Sequence, residues 1–358
     1  MANFIELWRF PIEGGAFSPT VGDADNNGIM EIVVGGRNGV LYYLSMNGEE
    51  LWNFKLVDGP IRVPLVEDID GNEQNEVIAI SHTGSLALFR SSELLWNYTQ
   101  FRALVEPPAV GDVNGDGENE IVAGSKDHTL RVLKDGKELW RINFGDWVYQ
   151  PAIGDVDGDG ENEIIVGSAD RTLRIFKKTE EIARVIFEGS VWEPILYDLD
   201  NDGQLEIIVA SGDGTLRAFK EDKELWRKSF IQPVFTPSIG DVNGDNKPEI
   251  VVSVLPNTTY VLNLSGDVIA KYIGIAGDKP TLGDIDGDGI NEIIIGTFNG
   301  ILGVLKMKED NLSPVIIHRY PGSTVYKATV YDINSDGLNE VLIGVRGIGI
   351  IALRFVQA

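Results

Sequence analysis

Oxygen-bearing side chains recur along this chain in one pattern, at the first, third, fifth and ninth positions of eight short loops that begin 43 to 48 residues apart. Loop 1 sets out Asp23, Asp25, Asn27 and Glu31; loop 2 has Asp68, Asp70, Asn72 and Glu76; loop 3 has Asp112, Asn114, Asp116 and Glu120. Loop 4 is the fullest, with Asp155, Asp157, Asp159 and Glu163, and loop 5 matches it with Asp198, Asp200, Asp202 and Glu206. Loop 6 carries Asp241, Asn243, Asp245 and Glu249, loop 7 Asp284, Asp286, Asp288 and Glu292, and loop 8 Asp332, Asn334, Asp336 and Glu340. The seventh residues, Ile29, Gln74, Glu118, Glu161, Gln204, Lys247, Ile290 and Leu338, each have a backbone carbonyl to add. Converging oxygen donors on a tight coil are chemistry for a hard cation.

Calcium fits this donor set better than other divalent ions. It accepts six to eight oxygens in flexible geometry, whereas magnesium demands a regular octahedron and zinc prefers nitrogen and sulfur. The ninth glutamate can close such a site with two oxygens. A coil this tight asks its sixth residue for a positive φ, a demand met by Gly28, Gly117, Gly160, Gly203, Gly289 and Gly337. Asn246 in loop 6 tolerates that region, and Glu73 in loop 2 does so poorly. With neutral Asn72 as well, loop 2 is expected to be the weakest site, and the chain is expected to bind six to eight calcium ions.

The elements that position these loops follow from the same period. Around loop 4, the short segment Pro151 to Gly154 precedes the acidic coil, and the apolar run Glu163 to Gly167 follows it. After a turn comes the alternating run Thr172 to Lys177, then a fourth strand ending near Phe187. Each repeat therefore reads as a four-stranded antiparallel meander. One meander cannot cover both its faces, and radial stacking at this period gives a β-propeller. After loop 8 only two strands remain, Glu340 to Val345 and Gly349 to Phe355, while Ile5 to Phe10 at the start matches the outer strands around Trp52 and Trp140. The expected fold is all-β, one eight-bladed propeller domain over residues 1–358, its ring closed by the N-terminal strand. Trp8, Trp52, Trp96, Trp140 and Trp226 recur with the outer strands and are read as blade-to-blade packing.

Composition agrees with many short strands and tight turns: 43% hydrophobic residues, and 41 glycines against 15 prolines. The net charge of −25 is smaller than the number of loop carboxylates, so bound divalent ions would offset much of it. No basic patch or RNA-binding motif appears, which argues against nucleic acid as a partner. Cysteine is absent, and no apolar run reaches the roughly 18 residues of a membrane span. Membrane insertion is not expected, and a monomer is. No G-x-S-x-G, H-E-x-x-H or P-loop motif is present, and His82, His128 and His318 fall in different repeats.

The strings GDVNGDGENEIVAG from Gly111, GDVDGDGENEIIVG from Gly154 and GDIDGDGINEIIIG from Gly283 resemble the FG-GAP or VCBS repeats of integrin-like β-propellers. That resemblance implies calcium in the loop between the first and second strands of each blade, on a lower face, with ligands met on the upper face. Integrin-type propellers have seven blades, and their loops usually end in Asp where these end in Glu. Four residues before the first aspartate of seven loops stands a proline, and two residues earlier lies a varied position. There the chain places Phe17, Arg62, Glu106, Tyr149, Trp192, Phe235, Asp278 and Tyr326, with Glu193 beside Trp192. Aromatic platforms mixed with a few charges suit a carbohydrate or protein ligand.

Leu139 to Phe144, followed by the loop 4 string, also resembles rhamnogalacturonan lyases, whose calcium propellers carry long insertions that build the cleft. The even 43-residue spacing from Asp112 to Asp284 holds no such insertion. The expected function is that of an extracellular or cell-surface recognition or adhesion module without catalytic activity. A polysaccharide lyase and a structural spacer are the alternatives.

Overall fold

The computed structural model describes residues 2–357. Among them there is no helix, and the strands form eight four-stranded antiparallel sheets. Blade 4 shows how each is built: Ala152–Gly154, Glu163–Gly167, Thr172–Lys177 and Glu180–Ile186 pair in chain order. The second strand is buried along its whole length because neighbouring sheets cover both of its faces. The fourth alternates between exposed and half-buried, since only one face packs. A register shift between Ile175 and Phe176 recurs at the matching place in blades 3 and 5 and adds twist between the third and fourth strands.

The N-terminal strand behaves as its sequence indicates, and it is longer. Asn3–Pro11 pairs antiparallel with Gly349–Val356 and is the fourth strand of blade 8, with Trp8 opposite Ala352. The Trp8 indole donates to the Met46 carbonyl of blade 1 at 3.0 Å and lies over Gly48. Trp96 of blade 2 likewise lies over Gly136 of blade 3. Eight such meanders, one of them completed by the first strand, are the architecture of an eight-bladed β-propeller.

Two compact units divide the described residues, 2–66 with 237–357 and 67–236. In the first, Ile294, Leu302 and Val304 of blade 7 pack on Ile343, Ile351 and Leu353 of blade 8. In the second, Val122, Leu130 and Val132 of blade 3 meet Ile164, Val166 and Phe176 of blade 4. The second unit also repeats a polar staple. Arg131, Arg174 and Arg217 are buried, pair with Asp127, Asp170 and Asp213, and lie over the Phe101, Phe144 and Phe187 rings of the preceding blade. A buried guanidinium needs both a counter-charge and a flat apolar cover, and each staple supplies them.

Candidate metal centres and recognition face

Every acidic loop is wound around its own carboxylates. In loop 4 the N–H of Gly158 donates to Asp155 Oδ1 at 2.6 Å and that of Gly160 to Asp155 Oδ2 at 2.9 Å. Asp157 and Asp159 accept from the N–H groups two residues on. The sixth residue has positive φ in all eight loops, including Asn246 at 63° and Glu73 at 67°. Loop 2 thus takes the same coil as the others, with an L side chain held in the left-handed region. The fourth residue is left-handed too, at Asn26, Gly71, Gly115, Gly158, Asn201, Gly244, Gly287 and Ser335. That second constraint was legible as a recurrent Gly, Asn or Ser and was missed.

The ninth glutamate is buried in every loop. Its Oε2 accepts from the N–H of the loop's second residue, as Glu163 does from Val156 at 3.1 Å and Glu292 from Ile285 at 2.9 Å. One oxygen is therefore committed to the coil and Oε1 is left for the loop interior, a division the expectation of two closing oxygens did not foresee. Burial pushes the carboxyls of Glu31, Glu163, Glu249 and Glu292 above the ordinary glutamate value. The Oε1 atoms of Glu163 and Glu206 accept no well-formed hydrogen bond, although Lys177 Nζ stands 3.1 Å and Lys220 Nζ 3.5 Å away as ionic neighbours. In loops 1, 2, 4, 5 and 7 the first and third aspartates and the ninth glutamate each bring an oxygen within 4.8 Å of the others. Loops 3, 6 and 8 have asparagine at the third position. Buried carboxylate oxygens with unmet demand fit a hard divalent cation.

One feature of these loops escaped sequence reading. Six of them receive a basic side chain from the end of the blade's third strand, 22 residues after the first aspartate. Lys306 is the most enclosed, its Nζ 2.7 Å from Asp286, 2.7 Å from Asp288 and 2.6 Å from Glu292. Lys134, Lys177 and Lys220 engage loops 3, 4 and 5, and Arg90 and Arg354 engage loops 2 and 8. Hydrogen bonds from the three lysines hold Asp116, Asp159 and Asp202 below the usual aspartate range. The regular spacing was a usable signal.

Neighbouring loops are also laced together. Asn162 donates from loop 4 to the Asp112 carbonyl of loop 3, Asn291 from loop 7 to Asp241 of loop 6, and Asn339 from loop 8 to Asp284 of loop 7, at 2.8 to 3.0 Å.

The varied positions before the first strands fall into two groups. In the unit of residues 67–236, Tyr149 and Trp192 meet at 5.0 Å between ring centroids, edge to face, and Trp192 and Phe235 at 5.8 Å. All three rings are half-buried, and the Trp192 indole N–H has no acceptor. Burial pushes the Tyr149 hydroxyl up to about 12. Glu106 is buried and Glu193 half-buried. In the other unit, Phe17 is buried against Tyr326 at 4.8 Å, with the Arg37 and Arg62 guanidinium groups 5.2 and 5.9 Å from its ring centre. Arg37, unnoticed in the sequence, also donates to the Tyr326 hydroxyl at 3.0 Å. Asp278 is exposed. Backbone bonds seat the arc: the Tyr149 N–H donates to Gly167 and the Trp192 N–H to Ala210.

Fold and loops together define an eight-bladed β-propeller with an acidic coil between the first and second strands of each blade. The sequence profile of the FG-GAP-like repeat matches residues 112–166 and 198–252, so the chain carries FG-GAP-like repeats, and its fold is consistent with an FG-GAP repeat propeller. No curated protein matches the chain in sequence. Among solved structures it is similar to Sqt1 of Saccharomyces cerevisiae, with a TM-score of 0.77 and 10% identity over 99% of both chains. It is also similar to the V. cholerae biofilm matrix protein Bap1, with a TM-score of 0.70 and 12% identity over 99% of this chain and 91% of the other. At these identities the likeness is one of fold.

Proposed function

We propose that this protein is a calcium-stiffened recognition module of the extracellular space or cell surface, binding a carbohydrate or protein partner through the Tyr149, Trp192 and Phe235 arc. Calcium occupancy of six to eight loops belongs to this reading. The observation that carries it is the pairing of eight coils, each closing on a buried glutamate, with an aromatic stack whose central indole N–H lacks an acceptor. Stacked half-buried rings offer apolar faces for a sugar ring or an apolar side chain. Each ion would bind through the aspartates and the ninth glutamate Oε1, neutralising carboxylates that otherwise repel one another.

FG-GAP repeats are typical of extracellular proteins, and no helix among the described residues is long and apolar enough to cross a membrane. A biofilm matrix protein among the similar folds is in keeping with this setting. The direct test screens the calcium-loaded protein against glycan and surface-protein arrays beside Trp192→Ala. Binding that the wild type shows and the variant loses is the expected result. A ligand indifferent to both Trp192→Ala and Tyr149→Ala places the site elsewhere, and turnover of a pectic polysaccharide makes the protein a lyase.

A further inference from the structure

The turn between the second and third strands of blade 1 carries Arg37, whose setting is unusual in a chain this acidic. Arginines elsewhere hold carboxylates, as Arg90, Arg174, Arg217 and Arg354 do. Arg37 is half-buried, and no carboxylate among the described residues lies in ion-pair range of it. Its Nη1 donates to the Tyr326 hydroxyl at 3.0 Å, and its guanidinium carbon stands 5.2 Å from the centre of the Phe17 ring. Because that hydroxyl accepts from Arg37, its own proton is left to donate, and no acceptor takes it among the described residues. The corresponding turn of blade 8 brings Arg346, which is exposed and likewise has no carboxylate in range. Both turns close on one pair of glycines. The Arg37 N–H donates to the Gly15 carbonyl at 3.0 Å, and Gly15 forms an antiparallel bridge with Arg346. A Cβ at Gly15 would lie 2.7 Å from Arg346 Cα, and one at Gly14 3.3 Å from Arg37 Cβ, so the two turns are held close by residues that have no side chain. All of these residues belong to the unit of residues 2–66 with 237–357.

We propose that Arg37, Tyr326 and Arg346 form a subsite for an acidic saccharide, with a uronate carboxylate on Arg37 and neighbouring sugar oxygens on the other two. The proposal rests on the reading of the protein as a recognition module and gives its ligand a charge. The site offers donors alone: the remaining N–H groups of Arg37, the Tyr326 O–H and the Arg346 guanidinium. Such a set selects a group that only accepts, and a carboxylate meets a guanidinium fork with two parallel bonds. Half-burial without a counter-charge leaves the Arg37 guanidinium poorly solvated, so an anion gains more there than beside an arginine in open water. Phe17 and Tyr326 pack with ring centroids 4.8 Å apart and hold the fork in place, which reduces the freedom lost on binding. A uronate ring sets a carboxylate, a ring oxygen and hydroxyl groups at fixed separations, which suits donors carried on separate turns. An Asp or Glu side chain of a peptide brings one acceptor group on a flexible stem. The net charge of −25 keeps polyanions off the surface in general, so this binding depends on the named groups and weakens as salt rises.

Calorimetric titration of the calcium-loaded full chain, at one fixed free calcium concentration, tests the subsite. The probes are hexasaccharides of glucuronate, galacturonate and mannuronate, each beside the same chain with its carboxyls reduced to alcohols. At least one uronate chain should bind, and its reduced counterpart about tenfold or more weakly. Arg37→Gln should weaken the acidic ligand by a similar factor and leave the reduced one unchanged, while Arg37→Lys, which keeps the charge and loses the fork, should fall between. Tyr326→Phe should weaken the acidic ligand as well. Equal binding of acidic and reduced chains, or acidic binding unmoved by both Arg37→Gln and Tyr326→Phe, overturns the subsite. Where that binding is lost in Trp192→Ala instead, the proposed function stands without it. Hexaglutamate bound through Arg37 where no uronate binds makes the ligand an acidic peptide and overturns the saccharide assignment. A wild type that takes up none of these probes overturns the subsite, and one that also binds nothing on glycan and surface-protein arrays overturns the recognition reading with it. If melting curves show that Arg37→Gln does not fold, Tyr326→Phe and Arg346→Gln decide.

Discussion

Glu292 divides its work between two oxygens, one accepting the Ile285 N–H and the other facing Lys306. Substitutions can separate these roles. Glu292→Gln keeps an acceptor for the N–H but removes the charge and turns its amide NH2 toward the Lys306 ammonium, so it should cost one calcium ion and lower the metal-free melting temperature. Glu292→Ala also strands a buried N–H, which costs about 1–3 kcal/mol, and should lower the melting temperature with or without calcium. Ion counting beside thermal unfolding distinguishes the two. Acidity reads the same glutamates. Burial raises Glu31, Glu163, Glu249 and Glu292 above 4.5, so their contribution to the metal-free fold is fully present below 4.5 and is lost as pH rises through the folded value. Calcium binds the ionised form. The stabilisation that calcium confers should therefore widen as pH climbs from 4.5 through the raised folded values, measured as the difference in melting temperature between loaded and metal-free protein. A constant difference across that range would remove these glutamates from the ion sites.

At the scale of elements, the N-terminal strand carries a sharp expectation. Removing residues 1–11 strips the Gly349–Val356 strand of its partner and takes Trp8 from the turn of blade 1. An unpaired edge and an emptied aromatic site should give aggregation or a large fall in melting temperature, visible by light scattering and calorimetry. A monomeric truncation with an unchanged melting curve would contradict the pairing. Gly167 tests how blades approach one another, because a Cβ there would run into the Trp192 carbonyl, which is backbone and cannot rotate away. Gly167→Val should cost about 1–3 kcal/mol in unfolding experiments and shift the aromatic arc, weakening any ligand bound through it. The strand order of each blade was legible because period-2 alternation and the acidic coil are local. The extra residues of Asn3–Pro11 were not, since they are strand only by pairing with Gly349–Val356, which lies at the other end of the chain.

For the molecule as a whole, metal and stability should be linked. A site held at 100-fold over its dissociation constant adds about 2.7 kcal/mol when the unfolded chain does not bind. Exhaustive chelation should accordingly lower the melting temperature, and calorimetry with no shift would count against calcium as a structural ion. The sequence alone determined the eight coils, the carboxylates they carry, the meander repeat and the role of the first strand, because each depends on spacing within one repeat or on a count of repeats. Tertiary structure decided the rest. Which oxygen of the ninth glutamate faces the loop depends on the coil's backbone, and whether a cation already sits there depends on how the third strand pairs with the second. Tyr149, Trp192 and Phe235 lie 43 residues apart in sequence and become one arc only when successive blades stack, which no local pattern encodes.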